Sequence, residues 1–296
     1  MKQLTILVGL AASGKSTIAS KMEQKGAVIV SSDAIRKELF GDESVQSNPT
    51  KVFQIFNDRI VNALRADNNW VVADACNIWC RKRKHLIQQV RTAIPEVHIT
   101  TIVVATSLGQ LYSNDENRVR HVGRDVINRQ LRQFQMPCYW EGIDSIEIYY
   151  PFYERKSWFR EMYFEENEIP HDNPHHQLPT IGDHMNAAFF DAMKDGVESP
   201  TILMAIELHD IGKFFVKTFD DRGVAHYYNH SNVGAYFSLF VQMIDKADPI
   251  RVTQLIQYHM EPFFRKGDHW DAWVKQVGQK FASELQTINF YDIRNA

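Results

Sequence analysis

The chain has 296 residues, of which 44% are hydrophobic and 23% are charged, and its formal net charge is −3. This length allows one large domain or two ordinary ones, and we expect two. No apolar run approaches the roughly 20 residues that span a bilayer, and an apolar run follows the first three residues at once. We therefore expect a soluble, cytoplasmic protein without a membrane span or a signal peptide.

Charge is distributed unevenly along the chain. Up to position 150 there are 19 basic and 15 acidic residues, and the remainder has 14 basic and 21 acidic residues. The first half is therefore basic and the second acidic, which suits phosphate binding in the first and metal binding in the second. Three cysteines without paired spacing argue against a disulfide framework and against a structural zinc site.

The first half alternates short apolar runs with longer amphipathic stretches. The apolar runs predict strands at 4–8, 27–30, 70–73 and 98–105. Helical spacing lies between or after them, at 15–24, 33–39, 51–66 and 81–94. This alternation predicts an α/β fold around a parallel sheet.

The second half shows a different pattern. A charged and aromatic stretch at 151–173 predicts a helical linker. Beyond it we find only helical spacing, at 183–193, 201–209, 231–244, 249–259 and 271–293. We therefore predict an α/β domain at 1–150, the linker at 151–173 and an all-α domain at 174–296.

Residues 9–16 read Gly-Leu-Ala-Ala-Ser-Gly-Lys-Ser, directly after the first predicted strand. This spacing is that of a phosphate-binding P-loop, in which backbone N–H groups and a helix N-terminus face the phosphates of ATP or another NTP. Lys15 would reach the β and γ phosphates, and the hydroxyl of Ser16 would bind Mg2+. A plain Gly-Ser turn is the alternative. The predicted phosphate-binding residues are Gly9, Ala12, Ser13, Gly14, Lys15, Ser16 and Thr17.

Carboxylates follow the second and third predicted strands. Asp33 comes after the second strand, and Arg36 lies one helical turn further on. At the carboxyl end of a parallel sheet, Asp33 would accept a proton from an attacking hydroxyl while Arg36 holds an acceptor phosphate. Asp74 ends the third strand and would orient Mg2+ or a substrate. Helix capping is the alternative role for both carboxylates.

An arginine cluster occupies 15 residues of the first half, and its members are Arg118, Arg120, Arg124, Arg129 and Arg132. A solvated basic face is the ordinary explanation for such a run. The other is a lid, since a kinase needs cations that close over the transferred phosphate.

Together these motifs resemble the polynucleotide 5′-kinase family over roughly residues 1–150. The resemblance rests on the P-loop, Ser-Ser-Asp-x-x-Arg at 31–36, Asp-Ala-x-Asn at 74–77, and the segment from Asn117 to Pro137. It implies that Asp33 is the general base for a 5′-hydroxyl and that Arg36 contacts the acceptor strand. It also implies that one lid arginine grips the ATP phosphates, and the candidates are Arg118, Arg120 and Arg124.

Nine of the twelve histidines lie between positions 171 and 269. At the centre of this segment is His209-Asp210-Ile211-Gly212-Lys213. Imidazoles and carboxylates are ligands that suit Mn2+, Co2+, Fe2+ or Zn2+, and one carboxylate can bridge two ions. We regard His226 as structural.

The pattern of His, His-Asp, His, His and Asp resembles the HD phosphohydrolase superfamily over roughly residues 174–296. The resemblance implies a metal bound by His184, His209, Asp210 and Asp292. It further implies that His230 and His259 bind a second metal or the scissile phosphate, and that Lys213 neutralises phosphate charge. Asp268 and Asp271 are alternatives to Asp292, and His176 is a candidate phosphate contact. Such a centre hydrolyses phosphate esters.

Joined in one chain, these activities suggest an enzyme that heals nucleic-acid ends. It would phosphorylate a 5′-hydroxyl and remove a 2′/3′-phosphate or a 2′,3′-cyclic phosphate, with RNA favoured over DNA and a separate ligase as partner. Because the net charge is near neutral, we expect contacts with only a few terminal nucleotides, made by the basic run at 81–84 and by the arginine cluster. The alternatives are a nucleoside or metabolite salvage kinase with a nucleotide phosphohydrolase domain, and a nucleotide-gated sensor.

Overall fold

The structure is a computed structural model that describes residues 1–66, 68–152, 169–174, 177–241 and 244–295. The chain forms two compact units. The first comprises Met1–Gln130 and Pro137–Phe152, and the second comprises Leu131–Met136 and the described residues from position 169 onward. Most of the predicted linker, at 153–168, lies outside the described residues.

The first unit is built around a five-stranded parallel sheet in the order β2-β3-β1-β4-β5. Leu4, Ile6 and Val8 of the central strand are fully buried, as expected for a parallel sheet covered on both faces. The strands are β1 Gln3–Val8, β2 Val28–Ser31, β3 Trp70–Asp74, β4 His98–Val104 and β5 Ser145–Tyr149.

Six helices accompany this sheet: α1 Lys15–Glu23, α2 Ser32–Phe40, α3 Pro49–Arg65, α4 Cys80–Ala93, α5 Leu108–Glu116 and α6 Arg124–Arg132. A 3-10 turn follows at Tyr139–Glu141. The predicted α/β fold with a parallel sheet is confirmed for this unit, and four strands lie where the apolar runs predicted them. The fifth, β5, was not predicted. It is an edge strand in which Glu147 interrupts the apolar pattern, so only Ile146 and Ile148 mark it.

One buried ion pair corrects the prediction for the basic run at 81–84. The guanidinium of Arg83 donates two hydrogen bonds to Glu141, with Nε–Oε2 2.8 Å and Nη2–Oε1 2.7 Å. Both side chains are fully buried. Arg83 is therefore part of the core that joins α4 to the 3-10 turn, and it is not available to nucleic acid.

The second unit is mainly helical, and its helices are α7 Ile181–Lys194, α8 Pro200–Leu208, α9 Lys213–Val216, α10 His230–Ser238, α11 Pro249–Tyr258, α12 Glu261–Phe264, α13 Asp268–Val277 and α14 Gln279–Arg294. The all-α prediction missed a two-stranded antiparallel hairpin, β6 Thr218–Phe219 with β7 Ala225–His226. Gly223, at φ +78°, supplies its turn.

The helix predicted at 271–293 is two helices in the structure. They are separated at Gly278, whose φ of +92° and ψ of +146° lie outside helical geometry. The helix predicted at 231–244 already ends at Ser238. No helix of the described residues is long and apolar enough to cross a membrane.

Residues 131–136 lie within the predicted first domain, 1–150, but in the structure they pack in the second unit. The backbone N–H of Met136 donates to Gln257 on α11, and the rings of Phe134 and Tyr236 meet edge to face at 5.0 Å. Asn232 donates to the carbonyl of Arg132 at 3.0 Å. This short segment is thus a packed part of the second unit.

Candidate functional site

The P-loop connects β1 to α1 and depends on two glycines. A Cβ on Gly9 would lie 2.8 Å from Ser13 Oγ and 3.1 Å from the carbonyl of Val104, so the loop leaves no room for one. Gly14 begins α1 at φ +91°, a left-handed conformation that favours glycine. Ala12 is also left-handed, at φ +63°. These conformations fit a loop whose N–H groups turn toward phosphates.

Side chains from α5, from α6 and from the segment before α5 form hydrogen bonds with the backbone of this loop. Gln130 Oε1 accepts from the N–H of Ala11 at 2.7 Å, and Asn114 donates to the carbonyl of Ala12 at 2.9 Å. The hydroxyl of Thr106 donates to the carbonyl of Ser13 at 3.0 Å. These three contacts were not predicted, because nothing in the spacing of the residues ties them to the P-loop.

The polar residues of the P-loop and of β3 meet at one edge of the sheet. Lys15 Nζ donates to the carbonyl of Leu10 at 2.6 Å and to Ser13 Oγ at 3.2 Å. Ser16 Oγ donates to Asp74 Oδ2 at 3.1 Å. Burial raises the pKa of Asp74. The structure thus brings Lys15, Ser16 and Asp74 together, while Thr17 is exposed on the first turn of α1.

Asp33 and Arg36 form an ion pair on the first turn of α2. Arg36 Nη1 lies 2.8 Å from Asp33 Oδ1, and the Arg36 side chain is 9% exposed whereas that of Asp33 is 52% exposed. The side chain of Ser31 caps this helix by accepting from the N–H of Ala34. The cap of α4 is at Trp79. Neither Asp33 nor Asp74 is therefore a helix N-cap residue.

The three candidate lid arginines have different partners. Arg118 pairs with the buried carboxylate of Asp115 at 2.8 Å, and Arg124 pairs with Glu116 at 2.8 Å on the surface. Arg120 Nη1 lies 3.3 Å from Asp33 Oδ2. Of the three, Arg120 is the one in contact with the carboxylate predicted to be the general base.

In the second unit, four buried side chains converge from α7, the end of α8 and α14. Nε2 of His184 lies 3.1 Å from both His209 Nε2 and Asp292 Oδ1, and 3.5 Å from Asp210 Oδ2. The ligand atoms of all four residues lie within 4.8 Å of one another. Asp268 and Asp271, the alternatives to Asp292, are exposed and belong to neither of the two described ligand groups.

A second group shares Asp210 with the first. His230 Nε2 lies 3.1 Å from His259 Nε2 and 3.3 Å from Asp210 Oδ1, and the distance from His259 Nε2 to Asp210 Oδ1 is 3.8 Å. Asp210 therefore directs one oxygen to each group. This is the arrangement in which a carboxylate bridges two metal ions.

The hydrogen bonds at Nδ1 of the ligand histidines indicate whether their Nε2 atoms can bind a metal. Nδ1 of each of the four ligand histidines faces a backbone carbonyl at 2.6 to 3.0 Å, and the carbonyls belong to Ile206, Tyr227, Ile256 and Asn295. A carbonyl only accepts, so each Nδ1 carries a proton and each Nε2 is the ring nitrogen that faces the other ligands. Paired Nε2 atoms 3.1 Å apart need a shared cation between them, which is a proton in the metal-free chain and a divalent ion when metal is bound, so the donor set fits a divalent metal.

The electrostatics of the first ligand group also favour positive charge. Although burial opposes it, Asp210 and Asp292 raise the pKa of His209 to about 10. Burial and the neighbouring imidazoles lower the pKa of His259 to about 3, so that ring is neutral. Despite their burial, Lys213 and His209 lower the pKa of Asp210. The carboxylates are thus ionised and ready to bind a cation.

Close packing requires a glycine at position 212, two residues after the His-Asp pair. A Cβ at this position would lie 2.0 Å from the carbonyl of His230 and 2.5 Å from the N–H nitrogen of Gly234. The loop after α8 can therefore approach α10 closely enough for Asp210 to reach His230. Lys213 Nζ lies 2.5 Å from Asp210 Oδ2, so the cation predicted to neutralise phosphate charge is at the site.

Other neighbours of this centre were not predicted as site residues. The ring of His171 is buried and lies edge-on to His184, with 5.7 Å between centroids. The hydroxyl of Tyr227 donates to the carbonyl of His171. His226 stacks on Tyr228 and belongs to neither ligand group of the described chain. The candidate His176 lies outside the described residues.

Comparison with known families places the first unit among P-loop domains. Residues 4–137, which are less than half of the chain, match the family model described as the AAA domain. With the parallel sheet, this identifies a P-loop α/β fold in the N-terminal region. No curated protein matches the chain.

Among solved structures, the chain is partly similar to a protein in the Pnkp1/Rnl/Hen1 RNA repair complex, at 21% identity with a TM-score of 0.40. The match covers 45% of this chain and 43% of that one. A fungal RNA kinase matches at 14% identity with a TM-score of 0.37, covering 53% and 79% of the two chains. A gluconokinase from Sinorhizobium meliloti 1021 matches at 17% identity with a TM-score of 0.36, covering 50% and 82%. The chain thus spans less than half the length of the protein that it matches in the repair complex.

Proposed function

We propose that the chain is a bifunctional enzyme that heals the ends of broken nucleic acids. Its first unit transfers the γ-phosphate of ATP to a 5′-hydroxyl. Its second unit hydrolyses 2′/3′-phosphate or 2′,3′-cyclic phosphate ends, preferably of RNA. One observation supports the proposal. The same chain holds strand-end carboxylates beside a P-loop, Asp33 and Asp74, and a buried carboxylate, Asp210, that belongs to two imidazole ligand groups.

In the kinase unit, the proposed roles follow from charge and reach. Lys15 would hold the β and γ phosphates, and Ser16 with Asp74 would hold Mg2+, which supplies charge neutralisation on the transferred group. Asp33 accepts the proton of the attacking hydroxyl at one carboxylate oxygen. Arg36, buried and fixed against Asp33, positions the acceptor phosphate next to that oxygen.

The contact between Arg120 and Asp33 supports a role for the arginine segment in the same step. A guanidinium 3.3 Å from the base lies at the boundary between acceptor and donor, where negative charge develops during transfer. We therefore assign the lid function to Arg120. Arg118 orders the segment through Asp115, and Arg124 lies on its exposed side.

In the hydrolase unit, His184, His209, Asp210 and Asp292 would hold one divalent ion, and Asp210, His230 and His259 would hold another. When bound, such ions supply Lewis-acid chemistry to a phosphate ester. Lys213 binds an outer phosphate oxygen with its ammonium group, and its contact with Asp210 keeps it in place. The carbonyls behind the four rings keep each Nε2 directed inward.

Each half has its own test. Transfer of labelled phosphate from ATP to a 5′-hydroxyl oligonucleotide is expected for the native chain and lost in Lys15→Ala. Release of inorganic phosphate from a 2′- or 3′-phosphorylated oligonucleotide with Mn2+ is expected for the native chain and lost in Asp210→Ala. Phosphorylation of free nucleosides with no activity on oligonucleotides would favour the salvage kinase instead. Tight ATP binding without transfer to either would favour the sensor.

A further inference from the structure

Beside Asp33 lies a row of side chains to which the proposed chemistry assigns no role. Phe53 on α3, with Trp79 and Lys82 at the start of α4, forms what we call the aromatic strip. Lys82 Nζ lies 4.4 Å from the ring centroid of Phe53 and 4.0 Å from that of Trp79. Both rings are half-buried and Lys82 is exposed, so the strip is at the surface.

Arg36 connects the strip to the proposed base. Its guanidinium carbon lies 5.9 Å from the centroid of Phe53, while its Nη1 holds Asp33 at 2.8 Å. The residue is 7% exposed, and its Nε finds no hydrogen-bond partner among the described residues. A buried guanidinium with an unused donor is costly unless a ligand completes it. A phosphate oxygen is the ligand that matches its charge and geometry.

Lys82 carries a second unused charge. It forms no ion pair within the described part of the chain, and its ammonium group is instead held between two aromatic rings. Burial and the nearby Arg36 lower the pKa of Lys82, as expected for a cation without an anionic partner. Two successive phosphates of one strand, the first at Arg36 and the second at Lys82, would satisfy both groups.

We propose that the aromatic strip binds the nucleotide that follows the 5′-terminal one, with Trp79 and Phe53 stacking its base and Lys82 binding its phosphate. This inference rests on the proposed kinase function, and it names the acceptor as a single-stranded chain and not a free nucleoside. Arg36 takes the first phosphate beside Asp33, and Lys82 takes the next. Stacking tolerates any base, so the strip selects for chain length and not for sequence.

The test compares two acceptors in the full-length chain: a nucleoside 3′-monophosphate, which ends before the strip, and a short single-stranded oligonucleotide, which reaches it. We expect Trp79→Leu to raise KM for the oligonucleotide about tenfold, since stacking on one aromatic residue is worth that order of affinity. KM for the monophosphate stays unchanged, and Trp79→Phe recovers most of the loss. Equal effects on both acceptors would overturn the proposal.

A second variant avoids the risk that Trp79 supports the start of α4. Lys82→Ala removes an exposed charge and is expected to weaken oligonucleotide affinity severalfold, with less salt dependence. Lys51→Ala, an exposed lysine on α3, is the matched control. An equal loss in both lysine variants would mean that only overall charge matters, and would contradict the strip.

A binding measurement distinguishes failure of the proposed kinase activity from failure of the proposed aromatic strip. If the native chain phosphorylates neither acceptor, fluorescence anisotropy of a labelled oligonucleotide still measures binding directly. Binding that depends on Trp79 and Lys82 would then support the strip without the kinase. Binding that is unaffected by both substitutions would overturn the strip whatever the activity.

Discussion

The two candidate sites are built by opposite means. The P-loop site depends on backbone: a contiguous run of eight residues in which Gly9 leaves room for its neighbours and Gly14 adopts a left-handed conformation. The His-Asp centre depends on side chains that come from residues 184 to 292 and are almost fully buried. The first site is local and open, with Asp33 half exposed, and the second is assembled and enclosed.

This difference predicts how each site fails. Loss of one side chain at the P-loop removes one function and leaves the loop standing. Loss of Asp210 removes a ligand from both groups of the other centre and leaves neighbouring imidazoles and Lys213 without the carboxylate that holds them.

Asp210→Asn is expected to give the largest loss. The amide has no charge and keeps only one of the two oxygens, so one ligand group loses its shared oxygen donor and the other keeps only a neutral one. We expect metal content, measured by inductively coupled plasma mass spectrometry after loading with Mn2+, to fall toward zero and phosphate release to disappear. Phosphorylation of a 5′-hydroxyl should continue at the native rate. Retention of one full equivalent of metal would contradict the shared role of Asp210.

Asp33→Asn tests the P-loop site in the same way and should affect only the kinase activity. Removing a general base typically costs about 10²–10⁴-fold in rate, and we expect that loss in kcat with ATP binding unchanged. Ser31→Ala is the matched control: it removes the cap of α2 and costs about 1 kcal/mol of stability, without the loss in kcat. Comparable kcat losses in both variants would mean that Asp33 acts only through the helix.

Gly212→Ala tests how closely the enclosed centre is packed. Its added methyl group would lie 2.0 Å from the carbonyl of His230, so α10 must move away. We expect a loss of about 1–3 kcal/mol or more in the free energy of unfolding, measured with urea, together with weaker metal binding. Gly109→Ala on α5, where no atom lies within 4 Å of the added carbon, should change neither. Native metal affinity in Gly212→Ala would show that α10 tolerates the shift.

The smallest expected effect concerns the arginine segment. Asp115 accepts from the N–H groups of Val122 and Gly123 and pairs with Arg118. Despite burial, these donors lower the pKa of Asp115. Because its folded pKa is below the unfolded value of about 3.9, its stabilisation is complete above that value and is lost as pH falls through the folded pKa.

Asp115→Asn should therefore lower the free energy of unfolding by about 1–3 kcal/mol at pH 7. The difference from the native chain should begin to shrink below about pH 4 and should vanish as the pH falls through the lower pKa of the folded carboxyl. Denaturant titrations from neutral to acidic pH measure this directly. A difference that is independent of pH would rule out the ionised carboxylate as the cause.

The sequence predicts local patterns well and contacts between distant residues poorly, and the two sites differ in the same respect. The P-loop and four of the five parallel strands are local patterns, so their places were correct to within a residue or two. Asp292 was reachable only through a family pattern, since no spacing connects it to His184. Gln130 and Asn114 were missed because their contacts with the P-loop depend on tertiary packing. Arg83 was assigned to the surface because a run of charges does not reveal which member is paired in the core.

The most direct test follows both ends of one RNA oligonucleotide that bears a 5′-hydroxyl and a 2′-phosphate, incubated with ATP, Mg2+ and Mn2+. The native chain is expected to add phosphate at the 5′ end and to remove it at the 3′-terminal nucleotide. Asp33→Asn should lose only the first change and Asp210→Asn only the second. If neither end changes while free nucleosides are phosphorylated, nucleic-acid end healing is the wrong function for this chain.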